Sequence, residues 1–248
     1  MLQLIGVHKY FSNGGGEPVR AVEGMDLTIG KNEFICLVGA SGCGKTTTLR
    51  MVAGLENPSQ GEIRLNGQLV KGPGPERSVV FQRYTLYPWR TVLDNVAFGL
   101  EVQGASKKAR REKALEFLNL VGLSEYADSH PHQLSGGMRQ RVAVARSLAA
   151  DPNVLLMDEP FGALDALTRN SLQKELTRIW EEERKTILFI THSIREAVML
   201  ADRVAVMSSN PGSIREIINI DLPRPRDQHD PAFKKYQTEI HGLLEQYK

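Results

Sequence analysis

Phe34-Ile-Cys-Leu-Val38, running into Gly39-Ala40-Ser41-Gly42-Cys43-Gly44-Lys45-Thr46-Thr47, is the stretch on which the reading of this chain turns. Five apolar residues entering a glycine-rich loop of the form G-x-x-x-x-G-K-[ST] predict a strand, a tight turn and a helix in that order. Thr47-Thr-Leu-Arg-Met-Val-Ala-Gly54 supplies the helix, with a glycine to close it. Glycines let successive backbone N–H groups turn inward as a nest, and the helix N-terminus adds its positive end. Lys45 would neutralise the terminal phosphates of a bound nucleotide while the Thr46 hydroxyl holds Mg2+. Chance produces this pattern in roughly one such chain in a hundred, and the flanks here are the ones it requires. The stretch predicts an α/β fold that binds a nucleoside triphosphate.

Leu134-Ser135-Gly136-Gly137, continuing Met138-Arg-Gln-Arg141, is about as improbable. Val142, Val144, Ala145, Leu148 and Ala149 then fall on one helical face, so a buried helix starts near Ser135 and offers a second place for an anion. One active site does not need two such places. The economical reading is that the second serves a nucleotide held mainly by another copy of the chain. At this point the sequence resembles the ATP-binding subunit of an ABC (ATP-binding cassette) transporter, whose signature motif is LSGG. The resemblance implies ATP and Mg2+ as ligands. It also implies a P-loop NTPase fold: a RecA-like parallel core sheet, an N-terminal antiparallel β subdomain and an inserted α-helical subdomain.

The family's other motifs follow one by one. Val154-Leu-Leu-Met-Asp158-Glu159 is an apolar run that fits a buried parallel strand, ending in two carboxylates. Such a pair in an arbitrary chain is most often two solvated acids; downstream of a P-loop, Asp158 resembles the residue that orients Mg2+ through water, and Glu159 the general base. Gln82, after Ser78-Val-Val-Phe81, resembles the Q-loop glutamine that senses the metal and the lytic water. His192, after Ile187-Leu-Phe-Ile190 and Thr191, resembles the switch histidine at the γ-phosphate, although a histidine taken alone is usually structural. Asp165 resembles the D-loop residue that crosses the dimer interface. Phe11 sits where the family stacks an aromatic on adenine; Tyr10 beside it is the alternative, because the loop 12–18 does not fix the register. Independently of any resemblance, Gly39, Gln82, Asp158 and His192 each follow a short apolar strand. In open parallel sheets, ligands bind at the carboxyl ends of strands.

Bulk properties set limits. At 248 residues, 41% hydrophobic and 24% charged, the chain can bury a sizeable core. A net charge of +2 is too mild to argue for nucleic acid as a partner. Two cysteines, Cys36 and Cys43, make no disulfide framework and suit a reducing compartment. The first residues lack a basic-then-apolar leader, which argues against export, and no apolar run approaches the ~20 residues that span a bilayer.

Along the chain, the first 30 residues and 62–70 read as antiparallel strands, with Asn66-Gly67 as a hairpin turn. Residues 91–141 read as a helical insert ending in the signature, with Thr91-Val-Leu-Asp94 as a capping box and 106–120 as an amphipathic helix. The catalytic core is expected over 1–90 and 142–248. Ser193 and Asp230-Pro231 read as helix starts. Tyr87-Pro-Trp89-Arg-Thr91 has two readings: a groove for a coupling helix of a membrane subunit, as the resemblance implies, or a tryptophan packed into its own lobe. Pro88-Trp-Arg-Thr-Val-Leu-Asp-Asn-Val96, Asp158-Glu-Pro-Phe-Gly-Ala-Leu-Asp-Ala-Leu-Thr168 and the Pro/Arg-rich Pro223-Arg-Pro-Arg-Asp227 resemble nitrate, sulfonate, taurine and bicarbonate importers. Residues 223–227 read as an extended stretch, with a plain linker to the final helix as the alternative.

The resemblance therefore implies an ATPase that couples hydrolysis to import. Its partners would be a second nucleotide-binding subunit, identical or a sibling, and a multi-span permease docking near Gln82 and Trp89. An extracytoplasmic substrate-binding protein would complete the assembly, with this chain peripheral on the cytoplasmic side of the inner membrane. A lipid-handling or exporter cassette shares every catalytic motif and is opposed only by the branch-specific stretches. A soluble ATP-dependent switch would need a coiled-coil insert or a second cassette; the chain has one P-loop and a short interval from Gln82 to Ser135.

Overall fold

The computed structural model describes residues 1–13, 15–82, 85–162, 164–183 and 185–247, with Asn13 and Glu183 described by backbone alone. The chain divides into two compact units, Met1–Gly74 with Thr186–Lys248, and Pro75–Lys185.

The first unit opens with β1 (Leu2–Asn13) and β2 (Gly16–Ile29), an antiparallel pair with Leu2 opposite Ile29. Alternation is plain: Leu2, Leu4, Met25, Leu27 and Ile29 are buried on one face. Next come β3 (Phe34–Gly39), buried throughout, and α1 (Lys45–Val52). Helix α1 ends at Gly54, whose φ of 74° suits the left-handed closing position. A Cβ there would lie 2.2 Å from the Gly72 carbonyl oxygen, so only glycine fits. β4 (Gln60–Leu65) and β5 (Gln68–Leu69) form the expected hairpin, with positive φ at both Asn66 (51°) and Gly67 (80°). These strands make one antiparallel sheet in the order β2-β1-β4-β5.

The second unit holds β6 (Arg77–Val80), α2 (Val92–Val102), α3 (Lys107–Leu120), α4 (Gly136–Ala149), β7 (Val154–Asp158) and α5 (Ala166–Glu183). β6 and β7 run parallel, Val80 beside Met157. Thr91 and Ser106 start their helices by accepting from the Asp94 and Ala109 amides at 3.1 and 3.3 Å. Val142, Val144, Ala145, Leu148 and Ala149 are all buried, as the period predicts. Leu172 and Leu176 of α5 join Val144, Leu148, Met157 and Phe161 in lining the apolar interior.

The chain then returns to the first unit. β8 (Thr186–Ile190) and β9 (Arg203–Ser208) flank β3 in parallel, and β10 (Ser213–Asn219) adds antiparallel to β9. The α/β fold is that of a P-loop NTPase, with a parallel core and a separate antiparallel sheet. Helix α6 (Ile194–Leu200) starts at Ser193, and α7 (Pro231–Gln246) starts at Asp230, whose carboxylate accepts from the Ala232 amide at 2.7 Å. Residues 223–227 are not a plain linker: Arg224 and Arg226 turn inward onto main-chain carbonyls. Among the described residues, no helix is long and apolar enough to cross a membrane.

Candidate functional site

In the first unit, β3 delivers Gly39 into a loop that only glycines can make. A Cβ at Gly39 would sit 2.6 Å from Cys43 Sγ and 3.0 Å from the Met207 carbonyl oxygen. Gly42 and Gly44 take φ values of 82° and 91°. Helix α1 begins at Lys45 with no side chain capping its first turn, which leaves that end to an anion. Ser41, Gly42 and Thr46 are exposed, Ala40 and Thr47 half-buried, and Cys43 buried. Lys45 is buried at 6% exposure, and its ammonium donates to the Gly39 and Ala40 carbonyls, both at 2.8 Å. Burial pushes the Cys36 thiol in β3 well above its usual pKa, with Glu196 adding to the effect, so Cys36 stays protonated.

Because β8 lies beside β3 in parallel, with Ile190 opposite Leu37, Thr191 and His192 leave the same carboxyl edge as Gly39. His192 is exposed; the residues around it are held. Thr191 is buried, donates from Oγ1 to Glu196 Oε2 at 2.6 Å and accepts from the Ser193 amide at 3.0 Å. Ser193 accepts from the Glu196 amide at 3.3 Å. On β1, the Tyr10 hydroxyl pairs with His8 Nδ1 at 3.0 Å, while Phe11 is 39% exposed. The Lys9 ammonium sits 5.0 Å from the Phe11 ring centroid and is tied to Glu56 Oε1 at 2.6 Å.

In the second unit, the same edge logic brings Gln82 and the two carboxylates together, because β6 and β7 are parallel neighbours. Gln82 Nε2 donates to Glu159 Oε2 at 3.2 Å. Asp158 is buried at 5% exposure. Glu159 has φ 46°, a left-handed conformation that a non-glycine residue holds only when its surroundings impose it. Sequence gave no sign of that strain. Ser135 starts α4, its Oγ accepting from the Met138 amide at 3.2 Å. A Cβ at Gly137 would be 3.4 Å from Leu164 Cδ2, so the signature lies against the segment leading to Asp165; Ala163 of that segment lies outside the described residues. Asp165 accepts from the Thr168 amide at 3.0 Å at the start of α5, and these bonds hold its carboxyl below the usual range.

Trp89 is 73% exposed, which rules out the reading in which it packs into its own lobe. Its ring leans on Tyr87 (centroids 5.6 Å), and Tyr87 on Phe98 (4.6 Å). A buried Asn95 on α2 fixes the loop: Oδ1 accepts from the Tyr87 amide at 2.8 Å, and Nδ2 donates to the carbonyls of Tyr87, Arg90 and Thr91. Arg146, on α4, donates to the Thr85 carbonyl at 2.7 Å and lies 5.6 Å from the Tyr87 ring centroid. Sequence reading missed both Asn95 and Arg146.

The family model described as "ABC transporter" matches residues 22–162. An uncharacterized ABC transporter ATP-binding protein of Methanocaldococcus jannaschii is 55% identical over 92% of this chain and 86% of its own length. The nitrate import ATP-binding protein NrtD of Synechocystis is 46% identical over 98% of this chain and 94% of that protein. The bicarbonate transport ATP-binding protein CmpC of Synechococcus elongatus is 47% identical over 98% of this chain, which spans only 38% of CmpC. Among solved structures, the dimeric ATP-binding cassette MJ0796 in a post-hydrolysis state with ADP and Pi is similar, with a TM-score of 0.82 and 31% identity over 90% of this chain and 100% of that one.

Proposed function

The chain belongs to the ABC transporter family and is an ATP-binding, ATP-hydrolysing subunit that powers transport; from that premise we propose that it drives import of a small anion of the nitrate or bicarbonate kind. The observation that carries this reading is the 46% identity to a nitrate import subunit across 98% of the chain and 94% of that protein.

In this reading the residues divide the work as follows. The Gly39–Thr47 loop and the N-terminus of α1 wrap the phosphates, and Lys45 exchanges its two loop carbonyls for phosphate oxygens. Phe11 stacks on adenine, being exposed where Tyr10 is half-buried. Oxygen donors suit a hard cation, so Thr46, Gln82 and Asp158 would hold Mg2+, Asp158 through water. The chemistry such a cation would supply there is neutralisation of the terminal phosphate charge. Glu159 accepts a proton from the attacking water, Gln82 orients that carboxylate, and His192 faces the γ-phosphate. Ser135, Gly136, Gly137 and Asp165 act on the nucleotide of a second cassette, which implies a head-to-tail pair.

The 91–141 segment serves as a helical subdomain, with 1–90 and 142–248 as the catalytic core. Trp89, held out on the frame built by Asn95 and Arg146, docks a multi-span permease. That places the chain peripherally on the cytoplasmic side of the inner membrane, with an extracytoplasmic binding protein completing the system.

The test is affinity purification of the tagged chain from detergent-solubilised membranes, identification of what comes with it, and ATPase assay of the assembly in proteoliposomes. A multi-span permease and stimulation by nitrate or bicarbonate with the binding protein are expected. Recovery without any membrane protein, or stimulation only by lipid, overturns the import reading.

A further inference from the structure

The Pro/Arg stretch after β10 does something that its composition does not announce. Arg226 spreads its guanidinium over four carbonyls. Nη1 donates to Val198 (2.6 Å) and Ala201 (2.7 Å), Nη2 to Ile220 (3.1 Å) and Nε to Leu222 (3.1 Å). Arg224 donates from Nη2 to the Leu200 carbonyl (2.6 Å) and from Nη1 to Asp202 Oδ1 (2.8 Å). Val198, Leu200 and Ala201 carry the last carbonyls of α6, which a helix leaves without internal partners. The two arginines therefore close that helix end, where positive charge is also favoured by the helix dipole.

The clamp extends further. Asp202, gripped through Oδ1 by Arg224, accepts from the Phe34 amide through Oδ2 at 2.9 Å, and its own amide donates to the Phe34 carbonyl at 2.7 Å. Phe34 is the first residue of the strand that delivers Gly39. At the other end of α6, Arg195 donates to Gln228 Oε1 at 3.1 Å, so the same segment holds the helix at both ends. Helix α6 is a single short element whose first turn fixes Ser193 and, through Glu196, Thr191. His192 lies between those two residues. Burial and the neighbouring Arg224 push Arg226 down to about 10, the mark of a guanidinium taken out of water.

We propose that Arg226 and Arg224 are positioning residues for His192: by anchoring α6 to the start of β3, they set where the histidine stands relative to the Gly39–Thr47 loop. Lysine cannot replace either, because an ammonium lacks the planar fork that spans several acceptors at once. The proposal rests on the reading of His192 as the γ-phosphate contact.

The experiment is a double-mutant cycle on the purified full-length chain, reading kcat and KM for ATP. R226K, R226Q and the milder R224Q are made in the native background and again with H192A, with thermal melts to check folding. R226K is expected to lower kcat about tenfold while KM stays within about twofold, the pattern of a displaced group in the transition state. In the H192A background the same substitution is expected to change the residual rate less than about twofold, because the group it positions is gone. Equal fold losses in both backgrounds overturn the proposal, as does native kcat in a folded R226K. If R226Q does not fold, R224Q, which removes the Leu200 and Asp202 contacts alone, carries the same expectation. Native turnover in H192A itself would overturn the reading of His192, a failure distinct from that of the clamp.

Discussion

The side-chain amide of Gln82 faces the carboxylate of Glu159 at 3.2 Å, one residue beyond the end of β7. A neutral donor at that spot orients the carboxylate without adding a second charge beside it. Replacing Gln82 by Glu would set two carboxylates against each other and hold one of them protonated. Q82E is therefore expected to slow hydrolysis about tenfold more than Q82A. Equal rates for the two variants would show that the contact has no bearing on the base.

Glu159→Gln should lower turnover by at least ~100-fold while ATP still binds, the loss typical of a missing general base. Size-exclusion chromatography with ATP should then reveal a trapped pair of cassettes. Normal turnover in this variant would sink the role given to Glu159.

Lys45→Ala removes an ammonium that touches two loop carbonyls and, in the proposed complex, the phosphates. ATP affinity, measured by titration, is expected to fall at least about tenfold, since charge-assisted contacts to phosphate are lost. Unchanged affinity would rule out Lys45 as a phosphate ligand.

Gly54 and Gly67 offer a matched pair. Both have positive φ, 74° and 80°, but a Cβ at Gly54 meets the Gly72 backbone at 2.2 Å and one at Gly67 meets nothing within 4 Å. G67A is expected to destabilise by about 1 kcal/mol and G54A by about 2 kcal/mol or more, the difference being the clash. Denaturant melts check this; equal losses would mean that the Gly72 segment moves aside freely.

The Asp165 carboxyl is held below the usual range by the Thr168 bonds, so its ionised form is favoured by folding. Its contribution is full above the unfolded carboxylate pKa and is lost as pH falls through the lower folded value. The melting temperature of D165N should lie below that of the native protein at pH 7, with the gap closing as the solution is acidified into that range. A gap independent of pH would show that charge at the α5 start is irrelevant.

Features that depend on near neighbours were legible in the sequence. Asn66-Gly67, the caps at Thr91, Ser193 and Asp230, and the two phosphate-loop glycines at Gly42 and Gly44 all declare themselves within a few residues, because turn and cap chemistry is local. Gln82 and Glu159 could be paired only through the parallel-sheet rule, which names an edge but not a hydrogen bond. Asn95 could not be singled out: it sits in an apolar helix, and the irregular loop it binds, from Tyr87 to Thr91, has no periodicity that would aim a helical side chain at it. Arg226 reaches Val198 over 28 residues, so residues 223–227 read as a spacer. The exposure of Trp89 was likewise undecidable, since a tryptophan suits a core and a docking face equally well.

Lys45 has one further meaning. Its ammonium is held inside the loop by the Gly39 and Ala40 carbonyls. In the proposed complex, phosphate binding is then an exchange of acceptors around a charge that the loop itself holds in place. Substitutions beneath the loop at Met207, whose carbonyl oxygen and Cβ would lie 3.0 and 3.2 Å from a Cβ at Gly39, would change affinity by altering how well the shape of the loop is held.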